Sequence, residues 1–180
     1  KFMKKDTLNT IPVEKISKKI FDLVKDNEDE NVEALHKLCK NAHHVTFMGR
    51  VGQGLIAPIQ SRVKFIRVYR DEFDVDFVHL GNIAKDLGLN YHFFQNNLNE
   101  WKPNVDDPAE YTTTDILVLQ YLEPEDTLNA IDLYKHYSSK HLVIYNANSI
   151  SKNIDERLKG EFETSYVNTK HKGFHIYNKL

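Results

Sequence analysis

The sequence predicts a doubly wound α/β domain, a mostly parallel five-stranded sheet with helices on both faces. Three observations carry that expectation. Short apolar runs alternate with segments whose apolar residues recur every three or four positions. One run, Asp115-Ile-Leu-Val-Leu-Gln-Tyr121, is apolar at consecutive positions, as a strand buried on both faces is. The 180 residues, 41% of them hydrophobic, supply one core and are too few for two ordinary ones.

Taken in order, Lys1 to Asn9 is polar, and residues 1–12 read as a linker or tail from a domain upstream, with 13–180 a single domain. Pro12 suits the first turn of a helix, where its missing N–H costs nothing. Val13, Ile16, Ile20, Leu23 and Val24 follow at helical spacing. After an acidic break, Val32, Leu35, Leu38, Cys39 and Ala42 mark a second amphipathic helix. Val45–Met48 is a strand ending in a glycine-bearing loop, Gly49 to Gly54. Ile56, Ile59, Val63 and Ile66 then repeat in helical steps, with Pro58 tolerable only in the first turn. Phe77, Leu80, Ala84 and Leu87 predict a helix stopped by Gly88, and Tyr91–Phe94 a strand. Residues 96 to 114 form a long polar loop with Pro103 and Pro108.

Beyond the Asp115 strand, Asp126 is placed to cap a helix holding Leu128, Ile131 and Tyr134. His141–Tyr145 is the next strand. Ile150, Ile154 and Leu158 form a short helix closed by Gly160, and Phe162–Val167 and Phe174–Tyr177 are terminal strands. The expected parallel core is Val45–Met48, Tyr91–Phe94, Asp115–Tyr121, His141–Tyr145 and Phe162–Val167.

Composition narrows the function classes. A formal net charge of -2 gives the chain no general attraction for nucleic acid or anionic membrane. A single cysteine permits no internal disulfide, and no apolar run approaches a membrane span; a cytoplasmic location is the expectation. The nine histidines do not fall at ligand spacing with Cys or carboxylates, so no metal is expected, and no other cofactor. Cys39 lies on an apolar helical face and reads as core. Trp101, Tyr111 and the Tyr91-His-Phe-Phe94 group could stack on a ligand, although core or interface duty is the commoner use of such aromatics.

In an open parallel sheet, ligands sit beyond the carboxyl ends of the strands where the strand order reverses. The loops after Met48 and Gln120 are therefore the candidate sites. The first needs glycine for unusual backbone angles and can present N–H groups to an anion. Its glycines at 49, 52 and 54 miss the G-x-G-x-x-G register, and no convincing acidic residue follows a second strand about 20 residues on.

The element order, with Val45-Thr-Phe-Met-Gly-Arg-Val-Gly-Gln-Gly-Leu-Ile-Ala57 and Asp115 through Thr127, resembles a sugar isomerase (SIS) domain of flavodoxin-like architecture. Gly49, Ile56 and Ala57 match that family's first motif, and Asp115 and Val118 its second. Within it, the likeness is to the effector domain of RpiR-type transcription regulators. The resemblance implies a phosphosugar-sensing domain without catalytic residues, a homodimer that reaches DNA only through a domain not in this chain, with a sugar-phosphate isomerase as the alternative. Its ligand site would comprise Gly49, Arg50, Val51, Gly52, Gln53, Gln120, Tyr121, Glu123 and Thr127. Departures from the motif weaken it. Val51 and Gln53 replace a glycine and a serine, Tyr121 and Glu123 stand for serines, and Glu123, Glu125 and Asp126 oppose a phosphate. Those carboxylates could offer a general base, or cap the helix that follows, or pair with Arg50 and close the pocket.

Overall fold

The computed structural model describes residues 29–50, 53–73, 75–95 and 113–180. The expected helix over 13–24, the tail, and the loop holding Trp101 and Tyr111 lie outside them.

The elements in chain order are α1 (Asp29–Cys39), β1 (His44–Gly49), a 3-10 turn (Gln53–Leu55) running into α2 (Ile56–Gln60), β2 (Phe65–Arg70), α3 (Val75–Asp86) and β3 (Asn90–Gln95). They continue with β4 (Thr114–Gln120), α4 (Pro124–Tyr134), β5 (Ser138–Tyr145), α5 (Ser151–Leu158), β6 (Phe162–Asn168) and β7 (Phe174–Lys179). The seven strands form one sheet in the order β3-β2-β1-β4-β5-β7-β6. The first five run parallel; β7 enters antiparallel to β5, and β6 pairs antiparallel with β7.

The α/β class, the mostly parallel sheet and the parallel pairing of the Val45 and Asp115 strands agree with expectation. The count of five does not. The step Ile59, Val63, Ile66 looked helical, but α2 ends at Gln60 and Arg62 turns the chain with φ +57°. A positive φ on a residue with a Cβ breaks a helix. Residues 65–70 therefore extend as β2, with Phe65, Ile66 and Val68 buried. Phe162–Val167 is likewise no member of the parallel core: it is the outer strand of a terminal hairpin.

Alternation along the central strands divides the core in two. Val45, Phe47, Ile116, Val118, Val143 and Tyr145 meet α1, α2 and α3, with Leu35, Ile59 and Leu80 among the buried contributors. Leu117, Leu119, Leu142 and Ile144 meet Ile131 of α4 and Ile154 and Leu158 of α5 on the other face. Ile116 to Leu119 are all but fully buried, each worth roughly 1.5–3 kcal/mol of apolar transfer. Asp115 fastens the amino-terminal edge: its carboxylate accepts the backbone N–H groups of His43 (2.5 Å) and His44 (3.1 Å).

Candidate functional site

The strand order reverses between β1 and β4. From β1 the chain winds outward to β2 and β3, and from β4 the opposite way to β5. At the carboxyl edge of this junction β1 ends on Gly49, which pairs with Gln120 at the end of β4. Gly49 has φ +117°, and a Cβ there would lie 1.9 Å from the Gln120 carbonyl oxygen. Only glycine allows the two strand ends to close this far. The same carbonyl accepts the Arg50 N–H at 3.0 Å.

Gly54 serves a second close approach. A Cβ on it would lie 2.6 Å from the Tyr145 hydroxyl and 3.4 Å from Gln120 Nε2. Gln120 follows Ile116 and Val118 in the strand alternation, so its side chain enters the α1–α3 side of the sheet. It is 1% exposed, and neither Nε2 nor Oε1 has a hydrogen-bond partner among the described residues. A buried primary amide without a protein partner costs on the order of 1–3 kcal/mol unless water or a ligand takes up its hydrogen bonds.

Backbone strain gathers on the same edge. Tyr121, directly after β4, has φ +57°, and Asn146, directly after β5, has φ +62°. For a bulky residue such as tyrosine that conformation costs about 1–3 kcal/mol and tends to accompany function. It sets the Tyr121 ring against Tyr145 at 5.2 Å between centroids. Phe174 and Tyr166 extend the aromatic row across β7 and β6.

The expected site residues separate on inspection. Gly49, Gln120 and Tyr121 meet at the junction, with Glu123 two residues beyond. Val51 and Gly52 lie outside the described residues, and Gln53 begins the 3-10 turn. Thr127 is buried and donates its hydroxyl proton to the Glu123 carbonyl (3.0 Å), so that donor is spent within the first turn of α4. Arg50 is exposed and makes no ion pair with Glu123 or Glu125, so the pocket is not closed from within. Glu123, not Asp126, is the N-cap residue of α4, and it makes no side-chain capping bond. Its carboxylate is therefore not spent on the helix, while Glu125 and Asp126 lie in the first turn. The helix after the glycine loop is only five residues long, too short to give a phosphate the dipole that the first loop was expected to supply.

Two carboxylates escaped the sequence reading altogether. Asp71 and Glu72 directly follow β2, the strand that was read as helix, and they stand beside the end of β1, since Met48 pairs with Tyr69. Glu72 pairs with Arg70 at 3.3 Å; the Asp71 side chain is exposed. The apolar alternation of Phe65-Ile-Arg-Val-Tyr-Arg70 was the available signal.

The other candidates are structural. Burial pushes the Cys39 thiol up, so it is inert core. Tyr91 is buried against Gly81. His175 shares a hydrogen bond with the Tyr177 hydroxyl (3.0 Å), which donates to Asp155 (3.3 Å). Among the described residues no group of three or more His, Cys, Asp or Glu is arranged to hold a metal, and no described helix is long and apolar enough to cross a membrane.

No protein-family model and no curated protein matches the chain. Solved structures do resemble it. A methyltransferase from Geobacter sulfurreducens superposes with a TM-score of 0.60 at 15% identity, covering 95% of this chain and 91% of its own. The ribosomal protein L11 methylase of Lactobacillus delbrueckii subsp. bulgaricus gives 0.57 at 15% identity over 86% and 79%. The N-methyltransferase NodS of Bradyrhizobium japonicum, solved with S-adenosyl-L-homocysteine, gives 0.53 at 13% over 84% and 87%. At these identities the likeness establishes a fold. It overturns the SIS resemblance and with it the phosphosugar-sensing RpiR-type regulator, the isomerase alternative and the expectation of a non-enzyme. The physical reason is in the sheet: a seven-stranded sheet closed by an antiparallel hairpin is not the five-stranded parallel core that the resemblance implied.

Proposed function

We propose that the chain is a methyltransferase that uses S-adenosylmethionine, bound at the carboxyl edge of β1 and the strands on either side of it, β2 and β4. The observation that carries this reading is the junction itself. It joins a glycine turn leaving β1, an acidic pair leaving β2, and a buried unpaired amide ending β4, on the fold that the methyltransferase structures share.

The residues present fit such a nucleoside. Asp71, whose carboxylate is not engaged by a described cation, suits the paired hydroxyls of a ribose, because one carboxylate accepts two O–H bonds at once. The field of the edge suits a positive ligand. Asp71, Glu72, Glu123, Glu125 and Asp126 outnumber Arg50 and Arg70, which disfavours a phosphate and favours a sulfonium. When bound, that cofactor supplies a methyl group activated for attack by a nucleophile. The chain's own part is to hold and orient: Gly49 and Gly54 let the backbone close around the junction, Asp71 fixes the sugar, and Gln120 offers one donor and one acceptor to whatever lies against it. The strained Tyr121 keeps an aromatic wall on the β5 side.

Calorimetric titration with S-adenosylmethionine and S-adenosylhomocysteine tests the reading. Micromolar binding is expected, weakened about 10- to 100-fold by Asp71→Ala, as the loss of charge-assisted hydrogen bonds predicts. Absence of binding at millimolar concentration, or indifference to Asp71, would contradict it.

A further inference from the structure

We propose that the amino-terminal edge of the sheet holds a second small-molecule site, a cavity that takes an organic oxyanion such as a phosphate monoester. The inference does not rest on the methyltransferase reading, whose nucleoside lies at the opposite, carboxyl edge.

The cavity measures about 330 Å3 and is lined by His43, His44, Lys64, Phe65, Thr113 and Asp115. Strand pairing brings them together. His44 opposes Phe65 where β1 meets β2, and Val45 opposes Ile116 where β1 meets β4, so Lys64 and Asp115 flank the start of β1. The buried His44 and Phe65 form the floor, their ring centroids 4.5 Å apart. The volume exceeds what a bare phosphate fills and stands at the low end of small-molecule pockets, roughly 300–1,000 Å3.

The charges decide the class of ligand. The Lys64 ammonium lies over the Phe65 ring, 5.2 Å from its centroid, and has no ion pair with a described residue. The face of the ring holds the ammonium in place without cancelling its charge. The Arg67 guanidinium stands 5.5 Å from the same centroid. Asp115 would argue for a cation if its carboxylate were uncommitted, but both oxygens are engaged. One accepts the backbone N–H groups of His43 and His44. The other faces the Ser139 hydroxyl at 3.4 Å and the Lys140 ammonium at 3.8 Å. Lys64, Arg67 and Lys140 therefore outweigh the compensated acid. An oxyanion meets the Lys64 charge, with the exposed His43 imidazole and Thr113 hydroxyl as further donors. A carbon body attached to it covers the apolar floor. A cation would be repelled by Lys64 and Arg67, and a neutral ligand would gain nothing from either.

The test uses the whole chain and NMR titration with phenyl phosphate, inorganic phosphate and benzylammonium. Phenyl phosphate is expected to shift the backbone amides of His44, Phe65 and Asp115 saturably, while benzylammonium leaves them unmoved. It should bind at least about fivefold more tightly than inorganic phosphate, as partial burial of its ring allows. Lys64→Gln should weaken phenyl phosphate about tenfold, as the loss of one charge-assisted hydrogen bond implies. Lys152→Gln, an exposed lysine on α5, should leave the affinity unchanged, and so should saturating S-adenosylhomocysteine. Benzylammonium binding at these amides overturns the proposal, as does phenyl phosphate binding that is indifferent to Lys64→Gln. Equal weakening by Lys152→Gln would show only general attraction to lysines, and competition from S-adenosylhomocysteine would merge the two sites; either result also overturns it. If phenyl phosphate binds as expected and S-adenosylhomocysteine does not bind, the oxyanion site stands and the methyltransferase reading falls.

Discussion

At the scale of single residues, the junction is built from close approaches that the side chains cannot vary. Gly49→Ala puts a Cβ against the backbone oxygen of Gln120 at a backbone angle that L-residues avoid. A loss of about 2–4 kcal/mol in unfolding free energy is expected. Gly88 makes the contrast: its φ is +79° but nothing lies within 4 Å of an added Cβ, so Gly88→Ala should cost only about 1–2 kcal/mol. Urea unfolding of the two variants measures the difference. Gln120 runs the opposite way. Removing an unpaired amide in Gln120→Leu should stabilise the free protein by about 1 kcal/mol or more, even as it damages the site. A stability loss in that variant would show that the amide is satisfied after all. None of these roles was legible before the fold was known. The glycines were visible in the sequence, but what crowds them, Gln120 and Tyr145, comes from strands more than 60 residues away.

At the scale of elements, the strongest patterns were read and the ambiguous one was lost. β4 and β5 announce themselves because a strand buried on both faces must be apolar at consecutive positions. β2 does not: Ile59, Val63 and Ile66 fit a helical period by accident, and the break at Arg62 has no glycine or proline to mark it. That one error hid Asp71 and Glu72, because an acid is recognised only when the strand before it is. The terminal hairpin was seen as two strands, but direction is not written in alternation, so β6 was placed in the parallel core.

The hairpin is tied to α5 through His175, Tyr177 and Asp155. Burial holds the His175 imidazole below the usual histidine range, with Asp155 pulling the other way. A histidine depressed in the fold takes up its proton more readily when unfolded. Its contribution to stability is therefore complete above about pH 6.5 and is lost as pH falls below that toward the folded value. Unfolding free energy should drop between pH 7.5 and 5.5, by no more than about 1.4 kcal/mol per pH unit from this one group. His175→Gln should flatten that dependence.

At the scale of the whole molecule, net charge near zero conceals an acidic carboxyl edge, and the choice between phosphate and sulfonium turns on that local field. The sequence showed Glu123, Glu125 and Asp126 ahead of the helix after β4, and the structure places them at the start of α4. What the sequence did not show was the sheet order that gathers them with Asp71 and Glu72 on one carboxyl edge. The most direct test of the account is to titrate S-adenosylhomocysteine into the isotope-labelled chain and map the perturbed backbone amides. The account predicts saturable shifts at Gly49, Gly54, Asp71 and Gln120, with the amino-terminal edge around His43 and Lys64 silent. Shifts confined to that opposite edge, or none at millimolar ligand, would contradict it.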